Sequence, residues 1–270
     1  MSTTRRLETE RERMVGLIRQ RGVQETHILD AFRAVPRHAF VGSDLEEFAY
    51  EDAPLPIGSG QTVSQPYMVA LMVQDACVRP GEKVLEVGTG SGYAAAVYAE
   101  IARDVYTIER YADLADTART LLDRLGYDNI HVRHGDGTTG WRDEAPFDAI
   151  IVAAGGPQVP ESLKRQLQIG GRLVVPVGET PRDQVIVRVT RLGEEEWRRE
   201  ELGAVRFVPL VGEEGWREEA STRPEAKAKA PMLTEGDETG SDRDARDRSV
   251  RGLTRPSPIE LMPTARPVSR

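Results

Sequence analysis

The chain has 270 residues, 39% hydrophobic and 30% charged, with 36 Lys and Arg against 44 Asp and Glu for a net charge of -8. That length suits one α/β domain with an appendage, or two small domains. The acidic balance argues against a dedicated nucleic-acid binder, and one cysteine, Cys77, leaves no disulfide framework or multi-cysteine metal site.

The first residues, Met1 to Arg13, lack the apolar core of a signal peptide. No apolar run approaches the ~18 residues of a membrane span, so a cytoplasmic setting is expected. Two helices are predicted within residues 4–34. Their apolar positions are Met14, Val15, Leu17 and Ile18, then Ile28, Leu29, Phe32 and Val35 at helical spacing. Pro36 ends the second, because the residue before proline avoids helical geometry. From Phe40 to Gln65 the chain is rich in Gly, Pro and Ser and reads as a long ordered loop, a feature that is usually functional. Pro66 suits the first turn of a helix running to about Val78. Cys77 lies beside Ala76 and Val78 and is expected to be a buried, inert thiol.

After Pro80-Gly81, strands and helices alternate. Strands are predicted at Lys83–Val87, Val105–Glu109, Ile130–His134, Phe147–Ala153 and Leu173–Val177. Helices are predicted after Gly92, from Leu114 to Leu125, and from Pro160 to Gly170-Gly171. Val185–Thr190 and Ala204–Leu210 alternate apolar and polar residues, as edge or antiparallel strands do. The succession implies an α/β fold, a Rossmann-like, mostly parallel twisted sheet with helices on both faces. Residues 1–217 form its domain, with residues 1–80 as an N-terminal helical and substrate-loop region. From Glu218 to Arg270 there are 10 acidic and 10 basic residues, six prolines and no aromatic residue. That segment reads as a disordered tail, since it cannot bury enough apolar surface to offset ordering entropy. Ile259, Leu261 and Met262, flanked by prolines, read either as a short docking motif or as residual apolar residues in that tail.

The clearest motif is Val84-Leu85-Glu86-Val87-Gly88-Thr89-Gly90-Ser91-Gly92-Tyr93, a strand running into three alternate glycines and a helix. Glycine serves where the backbone turns tightly and a ligand approaches closely. A pyrophosphate-binding dinucleotide site prefers glycine at position 93, where this chain has Tyr. Glu109 closes the next strand, placed to accept from ribose hydroxyls. Asp136, in Gly135-Asp136-Gly137, could accept from an adenine amino group or serve as a turn aspartate. Glu86 could orient a cationic amino group or form a buried hydrogen bond. These acceptors suit S-adenosylmethionine, whose sulfonium and ammonium are cationic. The expected cofactor-binding set is Thr62, Glu86, Gly88, Thr89, Gly90, Gly92, Glu109, Asp136 and Gly137, with no metal.

With these residues assembled, the chain resembles the protein-L-isoaspartate O-methyltransferase family over roughly residues 5–217. The strongest element is the stretch from Leu55 to Met68, LPIGSGQTVSQPYM. Val35-Pro36-Arg37, Phe40-Val41, Leu85 to Tyr93, His134 to Gly137, Phe147 to Val152 and Arg206 to Val211 also match. The resemblance implies a class I methyltransferase fold. It also implies methyl transfer from S-adenosylmethionine to the free α-carboxylate of L-isoaspartyl residues in damaged proteins, followed by succinimide formation and repair. It implies Ser64 as the active-site residue. Phe207, Val208 and Val211 are expected beside the substrate peptide.

A carboxylate is ionised at pH 7 and needs no general base. That agrees with the scatter of His27, His38, His131 and His134, to which structural or surface roles are assigned. Alignment is what the reaction requires. Ser64, with Thr62 assisting, precedes a helix whose N-terminal partial charge favours an anion. Taken alone, Ser64 reads as that helix's cap. A methyltransferase of RNA or small molecules is a rival, opposed by the acidic composition and the Leu55–Met68 stretch. A scaffold that retains the pocket is another, opposed by the intact glycines, Glu109, Asp136 and Ser64. A monomer acting on isoaspartyl proteins and peptides, without nucleic acid or membrane, is expected.

Overall fold

A computed structural model of the chain describes residues 3–180 and 183–217. The chain divides into two units, Met1–Ser221 and Thr222–Arg270. The predicted tail from Glu218, with its Ile259 to Met262 group, lies outside the described residues.

Helices α1 (Thr3–Gln20) and α2 (Thr26–Ala34) open the chain. On α2 the buried residues are Ile28, Leu29, Ala31 and Phe32, and the helix stops at Val35, whose extended backbone satisfies Pro36. The stretch predicted as loop has more structure than its composition suggests. A short 3-10 turn (Arg37–Phe40) leads into it, and it holds a second (Glu46–Phe48) and a hairpin of β1 (Leu55–Gly58) and β2 (Gln61–Val63). Gly58, Ser59 and Gly60 all take positive φ in that hairpin's turn. Helix α3 (Pro66–Asp75) follows with Pro66 in its first turn.

The remaining elements are β3 (Lys83–Val87), α4 (Tyr93–Ala99), β4 (Asp104–Glu109), α5 (Ala112–Leu125), β5 (Ile130–His134), β6 (Phe147–Val152), α6 (Glu161–Arg165), β7 (Leu167–Val177), β8 (Gln184–Arg191) and β9 (Trp197–Val205). They form a seven-stranded sheet in the order β5-β4-β3-β6-β7-β8-β9. Strands β3 to β7 pair in parallel, and β8 and β9 add antiparallel. The chain moves outward from β3 to β5, then crosses back to lay β6 on the other side of β3. The switch point between β3 and β6 opens a crevice at their C-terminal ends, where ligands bind in such sheets.

Period-two alternation sorts the strands' side chains into two cores. Val84, Val105, Ala149, Ile151 and Val174 pack with Ile18, Phe32, Val73 and Ala96 from the helices. Leu85, Val87, Ile150, Val152, Leu173 and Val175 form the second core with Leu163 and Leu210. No helix among the described residues is long and apolar enough to cross a membrane.

Three expectations are corrected. The helix predicted from Pro160 to Gly170 is only Glu161–Arg165, because β7 begins at Leu167 and carries Gly170-Gly171 within an irregular register against β6. The last strand is Trp197–Val205, not Ala204–Leu210. It is an edge strand that buries neither face, so its charged sequence gives no alternation. Cys77 is exposed, with φ of 49°, because α3 has ended at Asp75 and Ala76 and Val78 take the inward positions.

Candidate active site

A cavity of about 240 Å³ lies at the crevice. The turn after β3, the end of β4, the segments after β5 and β6, the β2–α3 junction and residues 208–211 all line it.

The Gly-rich turn is built by backbone geometry. Gly88, Gly90 and Gly92 have φ of 100°, 55° and 88°, in the region that side chains disfavour. The turn is tied to β4 by Gly88 N donating to Ile108 O at 2.8 Å, and closed by Gly92 N donating to Thr89 O at 2.8 Å. The Thr89 and Thr107 hydroxyls share a hydrogen bond of 2.6 Å. Glu109 is 5% exposed, and its carboxylate is held by two backbone amides, Gly90 N at 2.8 Å and Tyr111 N at 3.0 Å. Each oxygen keeps a lone pair for a further donor, and the residue is on the cavity wall.

Glu86 lies elsewhere. It shares a face with Val84 and is fully buried opposite Thr107, whose hydroxyl donates to its Oε2 at 2.6 Å. Its Oε1 is buried with no partner among the described residues. Burial pushes its pKa up to about 8, against the Thr107 hydrogen bond and aided by the Glu109 charge. Asp136 is also turned away from the cavity. Its Oδ1 accepts from Thr138 N at 2.8 Å and Thr138 Oγ1 at 2.7 Å, and its Oδ2 accepts from Glu213 N at 2.7 Å. It joins the turn after β5 to the segment at 212–214. Gly137, in that turn, does line the cavity, and a Cβ there would overlap Val87 Cγ1.

On the opposite wall, Thr62 and Ser64 lead into α3. Neither hydroxyl has a hydrogen-bond partner among the described residues. Ser64 therefore does not cap α3: the N-cap position is Gln65, without a side-chain cap. The Tyr67 amide in the first turn is satisfied by Asp52 Oδ1 at 2.9 Å. A third wall comes from residues 208–211. Gln184 clamps Phe207 through its backbone, accepting from Phe207 N at 2.8 Å. Gly155 N donates to Val208 O and Leu210 N to Gly155 O, both at 2.8 Å. Val208 and Val211 line the cavity, while Phe207 packs against the helical core.

Of the expected set, Thr62, Ser64, Gly88, Thr89, Gly90, Glu109, Gly137, Val208 and Val211 meet at one cavity. Glu86, Gly92, Asp136 and Phe207 stand behind its walls. Ser91, Arg110 and Tyr111 also line it and were not singled out from sequence. The signal for them was adjacency: they follow Gly90 and Glu109 on turns that already face the ligand. None of the four histidines lines the cavity, and among the described residues no group of His, Cys, Asp and Glu is arranged to hold a metal.

The residues fit an adenosyl cofactor. A carboxylate stands at the end of the second strand, the Gly-rich turn leaves the cavity open to close approach, and Ser91 Oγ is buried on the wall with no partner among the described residues.

Comparisons with known proteins agree with this geometry. The sequence profile of the family described as Protein-L-isoaspartate(D-aspartate) O-methyltransferase matches residues 9–215. A protein-L-isoaspartate O-methyltransferase of Rhodopseudomonas palustris is 58% identical over 201 residues, covering 74% of this chain and 92% of that one. One from Brucella anthropi is 52% identical over 212 residues, covering 78% and 98%. A solved structure of a protein-L-isoaspartate O-methyltransferase superposes with a TM-score of 0.71 at 30% identity, covering 76% of this chain and 67% of that one. A Plasmodium falciparum chain named for the same activity, in complex with S-adenosyl-L-homocysteine, gives 0.64 at 26% identity, covering 73% and 96%.

Proposed function

This chain belongs to the protein-L-isoaspartate(D-aspartate) O-methyltransferase family, and from that premise we propose how its own residues carry out the reaction. The enzyme methylates the free α-carboxylate of L-isoaspartyl residues in damaged proteins and peptides, using S-adenosylmethionine. The ester then closes to a succinimide, whose hydrolysis returns part of the damage to normal aspartate.

The cofactor, when bound, supplies a methyl group on a positively charged sulfur. Glu109, whose oxygens keep lone pairs beyond those taken by Gly90 N and Tyr111 N, would hold the ribose. Gly88, Thr89, Gly90, Ser91 and Gly137 line the cavity and would pack against the cofactor. Asp136 acts by fixing the 137–139 turn and the 212–214 segment. Glu86 stabilises the turn from below through Thr107 and Thr89.

The acceptor carboxylate arrives as an anion, so the protein need not move a proton. Ser64 Oγ donates a hydrogen bond that orients it, and Thr62 assists at the mouth. The start of α3 adds a favourable partial positive charge. Val208 and Val211 flank the substrate backbone. Holding the oxygen in line, and not activating it, is the protein's contribution, an effect that reaches many powers of ten in rate. The observation that carries this reading is a single cavity onto which the Glu109 carboxylate and the unpartnered Ser64 hydroxyl both open.

We place the protein in the cytoplasm, where an exposed thiol such as Cys77 persists. We take it to act as a monomer, and the acidic balance of 44 Asp and Glu against 36 Lys and Arg supports a protein that acts without nucleic acid. The test is incubation with methyl-labelled S-adenosylmethionine and matched isoaspartyl and aspartyl peptides. Base-labile label on the isoaspartyl peptide alone is expected. Label on both peptides, or on neither, refutes the assignment.

A further inference from the structure

We propose that Asp52 is a positioning residue for methyl transfer, holding the β2–α3 junction so that Ser64 meets the acceptor carboxylate at a fixed distance from the cofactor. The inference rests on the reading that Ser64 receives that carboxylate.

The Ser64 hydroxyl has no hydrogen-bond partner among the described residues to hold it, yet a reaction run by placement needs it placed. The groups immediately after it are held, and one carboxylate holds them. Asp52 Oδ1 accepts from Tyr67 N at 2.9 Å, in the first turn of α3. Asp52 Oδ2 accepts from Gln65 Nε2 at 2.9 Å and from Arg21 Nη1 at 2.5 Å. The Asp52 carbonyl also accepts from Gln65 Nε2, at 2.9 Å. The Asp52 side chain is only 10% exposed, so these bonds face little competition from water. Arg21, 35% exposed, lies on the outer side of these bonds, 3.7 Å from the centre of the Tyr67 ring.

Asp52 is itself anchored. Arg37 is fully buried, and its Nε donates to Ala49 O at 2.7 Å and its Nη2 to Ala53 O at 3.4 Å, on either side of Asp52. The same guanidinium lies 4.5 Å from the centre of the Tyr93 ring. Tyr93 opens α4 at the end of the Gly-rich turn and lines the cavity. A short line of contacts therefore runs from the cofactor turn, through Tyr93, Arg37, the 49–53 segment, Asp52 and Gln65, to Ser64. It sets the separation of donor and acceptor without touching either.

The test compares Asp52→Ala, Asp52→Asn, Gln65→Leu and Arg21→Ala with the native protein. Arg21→Ala removes the ion pair and its stability but leaves the Asp52 bonds to Gln65 and Tyr67 in place. Asp52→Ala and Gln65→Leu are expected to lower kcat/KM for an isoaspartyl peptide by about 10- to 100-fold, the scale of an ångström-level misplacement. Asp52→Asn, which keeps an acceptor for Tyr67 N, falls between these and the native protein. S-adenosylhomocysteine affinity by calorimetry stays within about twofold in all four, and binding of the peptide to the S-adenosylhomocysteine complex weakens in step with kcat/KM. Arg21→Ala retains peptide kinetics even where its melting temperature falls to that of Gln65→Leu.

Unchanged kcat/KM in folded Gln65→Leu and Asp52→Asn overturns the proposal. So does a parallel loss of S-adenosylhomocysteine affinity, or an equal kinetic loss in Arg21→Ala, since each marks a general structural role. Failure of the native protein to label the isoaspartyl peptide would instead remove the reading on which the proposal stands.

Discussion

Glu86 gives the sharpest test of how the cofactor turn is supported. Its carboxyl is fully buried, one oxygen takes the Thr107 hydroxyl at 2.6 Å, and the other has no partner among the described residues. Desolvation disfavours the charged form, and its pKa rises from 4.5 to about 8. In the unfolded chain the same group ionises near its ordinary value. Between these two values the folded state holds a proton that the unfolded state has lost. Stability is therefore greatest below about pH 4.5 as far as this group is concerned, and it falls as pH rises until about pH 8. Each pH unit in that window removes about 1.4 kcal/mol, or about 5 kcal/mol in all. Glu86→Gln imitates the protonated form: it keeps an acceptor for Thr107 and cannot ionise. Urea unfolding of both proteins at pH 5, 6, 7 and 8 isolates the effect, because the other titrating groups cancel in the difference. Glu109 and Tyr98, which interact with Glu86, are present in both. The variant should exceed the native protein by under ~1 kcal/mol at pH 5 and by about 4 kcal/mol at pH 8. A difference that stays constant with pH, or shrinks as pH rises, refutes the argument. Repeating the series with saturating S-adenosylhomocysteine decides between the two roles open from sequence: a carboxylate that meets the ligand's ammonium would ionise at lower pH, and the difference would collapse.

Ser64→Ala should change unfolding free energy by less than ~0.5 kcal/mol, since the hydroxyl has no partner among the described residues to lose. It should lower turnover about 10- to 100-fold, the value of one hydrogen bond to a charged group; steady-state kinetics with an isoaspartyl peptide check both limits against the melt. Glu109→Ala strands two backbone amides and should cost about 2–4 kcal/mol in stability. Calorimetry should show S-adenosylhomocysteine binding weakened by at least about 100-fold in that variant. Gly137→Ala drives a Cβ into Val87, which is 2% exposed, and should cost about 1–3 kcal/mol by overpacking. The double variant Gly137→Ala with Val87→Ala should recover part of that loss in thermal unfolding, and additive losses would show that the two side chains do not meet.

The parallel core was legible because its strands are short apolar runs between Gly and Pro punctuation. Lys83–Val87 and Ile130–His134 lie where the sequence places them. The antiparallel edge was not, because β9 presents Arg198, Arg199, Glu200 and Glu201 along a strand with no core face, and nothing in that charge run distinguishes it from a surface loop. The β1–β2 hairpin was hidden by its brevity and by Pro56 in its first strand. At the site, residues whose backbone makes the turn were readable from glycine spacing. Glu86 and Asp136 were harder: both are carboxylates at strand ends, and only the facing of each side chain tells a ligand contact from a brace. Thr107 opposite Glu86 and the amide of Glu213 beside Asp136 engage those carboxylates, and both contacts arise from pairings distant in sequence.

Arg37 stands in a matched motif, but its bracing role and that of Asp52 escaped for a related reason, since a shielded charge in an irregular segment has no periodicity to announce it. Their importance follows from how the two halves of the site touch. The β1–β2 hairpin carries the acceptor wall, and it leans directly on the cofactor turn: a Cβ at Gly90 would stand 3.2 Å from Ile57 Cδ1. Gly90 is thus constrained twice, by its φ of 55° and by the hairpin above it. The approach sets one contact between the walls, and the line through Arg37 and Tyr93 sets a second. Two contacts fix a separation and an angle, where one would leave a hinge. Such bracing suits a reaction whose nucleophile is already charged and whose electrophile is already cationic, because neither needs chemical activation and both need only to be held in line. It also explains why the most buried ionisable groups near the site, Glu86 and Arg37, do not line the cavity, and yet each is bonded to the segment that positions a residue which does.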